Sequence, residues 1–116
     1  MKGAQAGDII DELYGVIEKR KGGNPETSYV ARTFSRGREH VAKKVGEEGV
    51  EVALAGALGD KKGVVSESAD LLFHLMILWS ETGVAPTEDL KELSKRRGVS
   101  GLARDAARGK GGEEKR

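Results

Sequence analysis

Apolar side chains recur at helical intervals in four long stretches of the chain. Over residues 8–20, Ile9, Leu13, Val16 and Ile17 return every three or four positions, which places them on one helix face. Asp8 is a candidate N-cap. Asp11 and Glu12 fall in the first turn and Lys19 and Arg20 in the last, signs that complement the helix dipole. Gly22-Gly23 and Asn24-Pro25 then read as loop. Residues 28–35 predict a short helix with Tyr29, Val30, Ala31 and Phe34 as its stripe.

The longest periodic stretch is 37–58, with Val41, Val45, Leu54 and Leu58 at its centre and Ala42, Val52, Ala53 and Ala57 around them. Gly46, Gly49 and Gly56 interrupt it. A glycine costs about 1 kcal/mol relative to alanine in an exposed helix, so close approach of another helix or a ligand is expected there. Residues 59–63 read as a turn. Residues 64–82 form the central core helix, rich in Leu71, Leu72, Leu75, Met76, Ile77, Leu78 and Trp79. Ser66 caps it, or it begins at Lys61. Gly83 stops it. Pro86 and Thr87 open a last helix through Leu90 and Leu93 to about Arg97, ended by Gly98. Residues 99–108 add a short helical piece, and 109–116 form a disordered tail. No stretch alternates as a strand does. The pattern predicts an all-α fold, an antiparallel bundle of four main helices, as a single domain over residues 1–108.

Composition narrows the function. The 116 residues suit one core, whereas two would each be too small. Twenty basic residues oppose nineteen acidic ones, for a net charge of +1. That balance argues against a nucleic-acid binder. No apolar run approaches the roughly 18 residues of a membrane span; residues 71–79 are interrupted by His74. The first residues, MKGAQAGD, are polar and small, so a soluble cytoplasmic protein is expected. Without cysteine, disulfides, thiolate metal sites and cysteine nucleophiles are excluded.

The charge is segregated along the chain. Residues 19–44 hold eight basic against two acidic side chains, and residues 47–90 hold nine acidic against two basic. Within the acidic centre, Glu48 and Glu51 stand at i,i+3, on one helix face. Glu67 and Asp70 repeat that relation. The fifteen intervening residues suffice to finish one helix, turn and return. The two pairs then face each other across an antiparallel helix pair. Carboxylates so close repel unless a cation lies between them. Oxygen donors alone suit Mg²⁺ or Mn²⁺ rather than zinc, and magnesium typically shares its shell with substrate phosphates. A divalent-metal site for a phosphorylated substrate is therefore expected, against a plain solvated face.

Neighbouring residues leave alternatives open. His74 follows Asp70 at i+4 and is a hydrogen-bond partner of the metal site, a phosphate contact, or a core histidine bonded to a carboxylate. Lys43 and Lys44 either neutralise phosphate or pair with Glu47 and Glu48 at i,i+4. His40 reads as a surface residue, and Met76 and Trp79 as core.

The stretches Lys44-Val45-Gly46-Glu47-Glu48-Gly49-Val50-Glu51 and Glu67-Ser68-Ala69-Asp70-Leu71-Leu72-Phe73-His74-Leu75 resemble the phosphoribosyl-ATP pyrophosphohydrolase family of histidine biosynthesis. More broadly they resemble the all-α MazG-type nucleotide pyrophosphohydrolases, whose metal motif is ExxE followed by ExxD. Leu13-Tyr14, Asn24-Pro25, Ser28-Tyr29, Arg96-Arg97 and Ser100-Gly101 extend the likeness over about residues 11–108. Gly49, Phe73 and Asn24 depart from the family's usual alanine, tyrosine and aspartate.

The resemblance implies hydrolysis of phosphoribosyl-ATP to phosphoribosyl-AMP and pyrophosphate, by water attack at the α–β linkage. It implies Glu48, Glu51, Glu67 and Asp70 as ligands of Mg²⁺ or Mn²⁺. Glu47, with Glu48, is the candidate for orienting or deprotonating the water. Lys43, Lys44 and Arg97 are candidates for the phosphates, and Ser28 and Tyr29 for sugar or base. A homodimer is implied. Two other readings compete: a house-cleaning nucleoside triphosphate pyrophosphohydrolase with the same site, and a helical adaptor whose acidic pair is only a surface.

Overall fold

The computed structural model describes residues 5–97. Among these residues there are five helices and no strand: α1 (Ala6–Arg20), α2 (Tyr29–Ser35), α3 (Arg38–Ala57), α4 (Lys61–Thr82) and α5 (Pro86–Lys95). The expected all-α class is borne out. The short piece at 99–108, the stop at Gly98 and the tail at 109–116 lie outside the described residues. The chain divides into two compact units, one up to Pro86 and one from Thr87.

In the first unit, buried side chains from four helices share one core: Ile17 of α1, Val30 of α2, Val41 of α3, and Met76 and Ile77 of α4. Leu13, Tyr14, Phe34, Phe73 and Trp79 pack against it. Ile17, Val41 and Ile77 are the largest fully buried side chains. Each falls on the apolar face that the periodicity defines. Met76 and Trp79 are core, as expected.

The α3–α4 hairpin carries the site. Three residues, Leu58 to Asp60, reverse the chain, with Gly59 at φ 72°, in the left-handed region that favours glycine. Arg38 at the start of α3 reaches Glu81 near the end of α4 at 3.3 Å, which fixes the two helices antiparallel. The helices close tightly at the turn, where a Cβ on Gly63 would meet Ala55 Cβ at 3.3 Å. A polar clasp also ties α1 to α4: the Ser80 hydroxyl donates to Glu18, and Lys21 Nζ donates to the Ser80 carbonyl at 2.8 Å.

The structure settles several local points. Asp8 does not cap α1: the helix starts earlier, because the Asp8 and Ile9 amides both donate to the Gln5 carbonyl, leaving Asp8 in the first turn. Of the two starts considered for α4, the one at Lys61 is found and the cap at Ser66 is not. Asp60 caps the helix, accepting from the Gly63 amide at 3.0 Å. Gly46, Gly49 and Gly56 meet nothing within 4 Å of a Cβ position. The described residues of this chain bring no helix close to them, so close packing within the chain does not explain them. Gly83 ends α4 as expected, in the left-handed conformation at φ 78°.

The second unit, among the described residues, consists of α5 and the turn after it. The helix stops at Lys95, two residues short of the expected end. Arg96 pairs with Glu92 one turn back at 3.1 Å.

Candidate active site

Two helices supply the acidic cluster. Glu48 comes from the middle of α3, and Glu67 and Asp70 from successive turns of α4. One carboxylate oxygen from each lies within 4.8 Å of the others. The hairpin produces this: an antiparallel pair with a three-residue turn sets the middle of α3 against the first half of α4. Burial and mutual repulsion both act on Glu67. Burial pushes its carboxyl above the usual glutamate value, and the charges of Asp70, Glu51 and Glu48 push it further. A group of three anionic oxygens that raises its own proton affinity is suited to a divalent cation.

Glu51 lies outside that trio, exposed on α3 one turn beyond Glu48, yet near enough for its charge to act on Glu67. Glu47 faces the lysines instead: Lys44 at 3.3 Å and Lys43 at 3.9 Å. Its side chain is 48% exposed, whereas that of Glu48 is 16% exposed. The pairing alternative for the lysines is thus present in the structure. Lys44 also reaches Glu48 at 3.7 Å. Its ammonium is held above the ordinary lysine value, first by its hydrogen bond to Glu47 and then by the surrounding negative charge.

His74 is buried behind the cluster. Its Nδ1 lies 3.0 Å from the Asp70 carbonyl oxygen. A carbonyl only accepts, so Nδ1 carries the proton. In the neutral ring Nε2 is then an acceptor, and the Tyr29 hydroxyl donates to it at 2.9 Å. Of the roles foreseen for His74, the core histidine is closest to what is found. Its partners are a carbonyl and a phenol rather than a carboxylate. Tyr29, half exposed, packs with Phe73 and His74 as an aromatic group whose rings meet at 5.6 to 6.5 Å. Ser28 is the N-cap of α2, accepting from the Ala31 amide at 3.1 Å. Arg97 belongs to the second unit, where it donates to the Ser94 hydroxyl at 2.9 Å.

Beside the acidic cluster is a basic hollow of about 210 Å³, lined by Tyr29, Arg32, Thr33, Arg36, His40 and Lys44. The first four lie along one face of α2 and its end, and the last two are i,i+4 on α3. Gly37 joins the helices at φ 97°, a conformation L side chains rarely adopt, and this elbow folds the two basic faces together. Arg32, Arg36 and His40 were not foreseen as site residues. The signal was available in the i,i+3, i,i+4 and i,i+7 spacing of 29, 32, 33 and 36. His40 is half-buried rather than a plain surface residue. Burial lowers its proton affinity below the usual histidine value, and Arg36, Lys44 and Lys43 lower it further against a smaller opposing effect of Glu47.

The fold and the site together define a class: an all-α protein in which an acidic helix hairpin adjoins a basic hollow. The family described as Phosphoribosyl-ATP pyrophosphohydrolase matches residues 10–97. The chain is 48% identical over 100 residues to the phosphoribosyl-ATP pyrophosphatase of Azospirillum brasilense, covering 86% of this chain and 90% of that protein. It is 50% identical over 102 residues to the protein of that name from Rhizorhabdus wittichii (strain DSM 6014), covering 88% and 96%. It is 46% identical over 107 residues to that of Paramagnetospirillum magneticum, covering 92% and 98%. The chain belongs to the phosphoribosyl-ATP pyrophosphohydrolase family.

Proposed function

We infer that this chain is an enzyme that hydrolyses phosphoribosyl-ATP to phosphoribosyl-AMP and pyrophosphate in histidine biosynthesis. Family membership identifies the substrate, and the convergence of Glu48, Glu67 and Asp70 carries the chemical reading. In the reaction, water attacks the α-phosphorus, the bond to the α–β bridging oxygen breaks, and pyrophosphate leaves.

Glu48, Glu67 and Asp70, with Glu51 at the edge, would hold Mg²⁺, with Mn²⁺ as the alternative. The ion supplies charge neutralisation at the phosphates and a lower pKa for water. Glu47 orients the attacking water or takes its proton, with Glu48 beside it. Lys43 and Lys44 hold the Glu47 carboxylate and present positive charge toward the phosphates. Tyr29 and Ser28 complete the substrate-binding set of the first unit, and Arg97 of the second unit is a further candidate for the phosphates. The functional domain spans residues 1–108, and histidine biosynthesis implies the cytoplasm. Among the described residues no helix is long and apolar enough to cross a membrane.

The working form is a homodimer. Gly46, Val50, Leu54 and Leu58 follow one line of α3 at i,i+4 spacing. Val50 and Leu54 are each 57% exposed and Leu58 is 82% exposed. An apolar, small-residue stripe left open by the chain itself supports a second copy as its cover. Leu54→Asp should dissociate it, as read by sedimentation velocity.

The decisive assay measures pyrophosphate release with Mg²⁺ from phosphoribosyl-ATP and from a panel of nucleoside triphosphates. Strong preference for phosphoribosyl-ATP, lost in Asp70→Asn, is the expected result. Equal turnover of ATP would overturn the substrate, and full activity of Asp70→Asn would overturn the site.

A further inference from the structure

The basic hollow has a size, a sign and a position that together limit what it can hold. Sites that enclose a whole small-molecule ligand run to about 300–1,000 Å³. At about 210 Å³ this one takes only part of a nucleotide. Apart from Tyr29 and Thr33, its lining side chains are all basic: Arg32, Arg36, His40 and Lys44. Among the described residues no carboxylate forms an ion pair with Arg32 or Arg36. Among the described residues Arg32 uses only its Nε, donating to the Pro25 carbonyl at 3.0 Å, and the rest of its guanidinium has no partner there. The acidic group acting on His40 is Glu47, which is already paired with both lysines. Planar guanidinium groups in such a setting suit phosphoryl oxygens.

Position decides which phosphate. Lys44 is at once a wall of the hollow and the partner of Glu48 at 3.7 Å. Tyr29 is likewise a wall and, through His74, bonded to the turn that carries Asp70. The hollow therefore begins where the acidic cluster ends. In a triphosphate whose α-phosphorus is at the cluster, the next groups along the chain are the β- and γ-phosphates. The substrate's other phosphate ester lies beyond a base and two sugars.

We propose that the hollow between α2 and α3 seats the pyrophosphoryl end of the substrate, with Arg32, Arg36, His40 and Lys44 as its anion-binding groups. This rests on the reading of Glu48, Glu67 and Asp70 as the hydrolytic site. The arginines take up the negative charge that collects on the leaving pyrophosphate as the α–β bridge breaks, which is where fixed positive charge lowers the barrier. The free product then retains affinity for the hollow without any metal.

The test is calorimetric titration of inorganic pyrophosphate, and separately of ribose 5-phosphate, into the full chain with EDTA present. Wild-type protein should bind pyrophosphate. Arg36→Gln and Arg32→Gln should each weaken that binding about tenfold or more, and Arg36→Lys should restore part of it. Arg36→Gln should also raise KM for phosphoribosyl-ATP and raise the inhibition constant of pyrophosphate in the Mg²⁺ assay. Arg36 lies exposed at the end of α2, so folding is not at stake, and far-UV circular dichroism checks that. Asp70→Asn should keep its pyrophosphate binding in EDTA, which separates this idea from the metal-site reading. Unchanged pyrophosphate binding in both arginine variants would overturn the proposal. So would loss of ribose 5-phosphate binding alone, which would give the hollow to the other phosphate. Loss of EDTA-resistant binding in Asp70→Asn would place pyrophosphate at the acidic cluster instead.

Discussion

Replacing Tyr29 by phenylalanine removes one oxygen, and the structure sets what that should cost. His74 is 6% exposed. Its Nδ1–H is committed to the Asp70 carbonyl, so Nε2 depends on the Tyr29 hydroxyl. Leaving a buried acceptor unpaired costs about 1–3 kcal/mol. Tyr29 itself is 47% exposed, so water reaches that side of the ring and the lower part of the range applies. A loss of about 1–2 kcal/mol corresponds to a fall in Tm of roughly 4–16 °C for a domain of this size. Thermal and urea unfolding followed by circular dichroism measure it. A double-mutant cycle isolates the bond: in a His74→Phe background the acceptor is gone, and Tyr29→Phe should then cost less than about 0.5 kcal/mol. Nitrogen chemical shifts of His74 should show the Nδ1–H tautomer in the wild type. Equal losses in both backgrounds, or the Nε2–H tautomer, would refute the assignment.

Three further outcomes follow from the same structure. Ile77→Ala empties a side chain with 0% exposure and should cost about 2–5 kcal/mol in urea unfolding; a loss under about 1 kcal/mol would mean the core is not where it is drawn. Asp60→Ala removes the cap on α4 and should cost about 0.5–2 kcal/mol, while Asp60→Asn should retain most of the stability because its amide oxygen can still accept from Gly63. The carboxyl of Glu67 is raised above its ordinary 4.5 in the folded chain, so the folded state binds that proton more tightly than the unfolded one. Stability from this group is complete below the ordinary value and is lost as pH rises through the raised one. Metal-free protein should therefore lose Tm from this source as pH climbs out of the acid range. The Tm gain from Mg²⁺ should be larger at about pH 7 than at about pH 5, as scanning fluorimetry can show, and a gain independent of pH would remove Glu67 from the cation site.

The helices were legible because their signal is local. Ile17, Val41, Met76 and Ile77 are buried where three-to-four-residue periodicity puts them. Helix ends depend on weaker competition. Asp8 had the right chemistry for a cap, but the Gln5 carbonyl collects the first amides and moves the start upstream. At α4 the choice lay between a cap at Ser66 and a start at Lys61, and Asp60, accepting from the Gly63 amide, decides for Lys61. The glycines of α3 find no neighbour within the described chain. Within the chain the tight approach of α3 and α4 is at Gly63, where the hairpin closes, and not at Gly46, Gly49 or Gly56.

The site divides along the same line. Its acidic half was readable because i,i+3 spacing fixes two carboxylates on one face and only one turn separates the two helices. Its basic half was not, because the excess of positive charge over residues 19–44 does not say which side chains the fold consumes. Lys21 is taken by the Ser80 carbonyl and the face of Phe34. Arg38 is taken by Glu81, and Lys43 by Glu47. Each of those contacts spans either one helical turn or more than ten residues of sequence, and only the former can be foreseen from spacing. Of what the fold leaves over, Arg32 and Arg36 are turned toward His40 and Lys44 by a single glycine elbow at Gly37. A substitution there that cannot adopt a positive φ should separate the two basic faces while leaving the acidic trio in place. Gly37→Ala is accordingly expected to weaken pyrophosphate binding in EDTA more than it weakens the Tm gain from Mg²⁺. The reverse order would mean that the elbow serves the hairpin rather than the hollow.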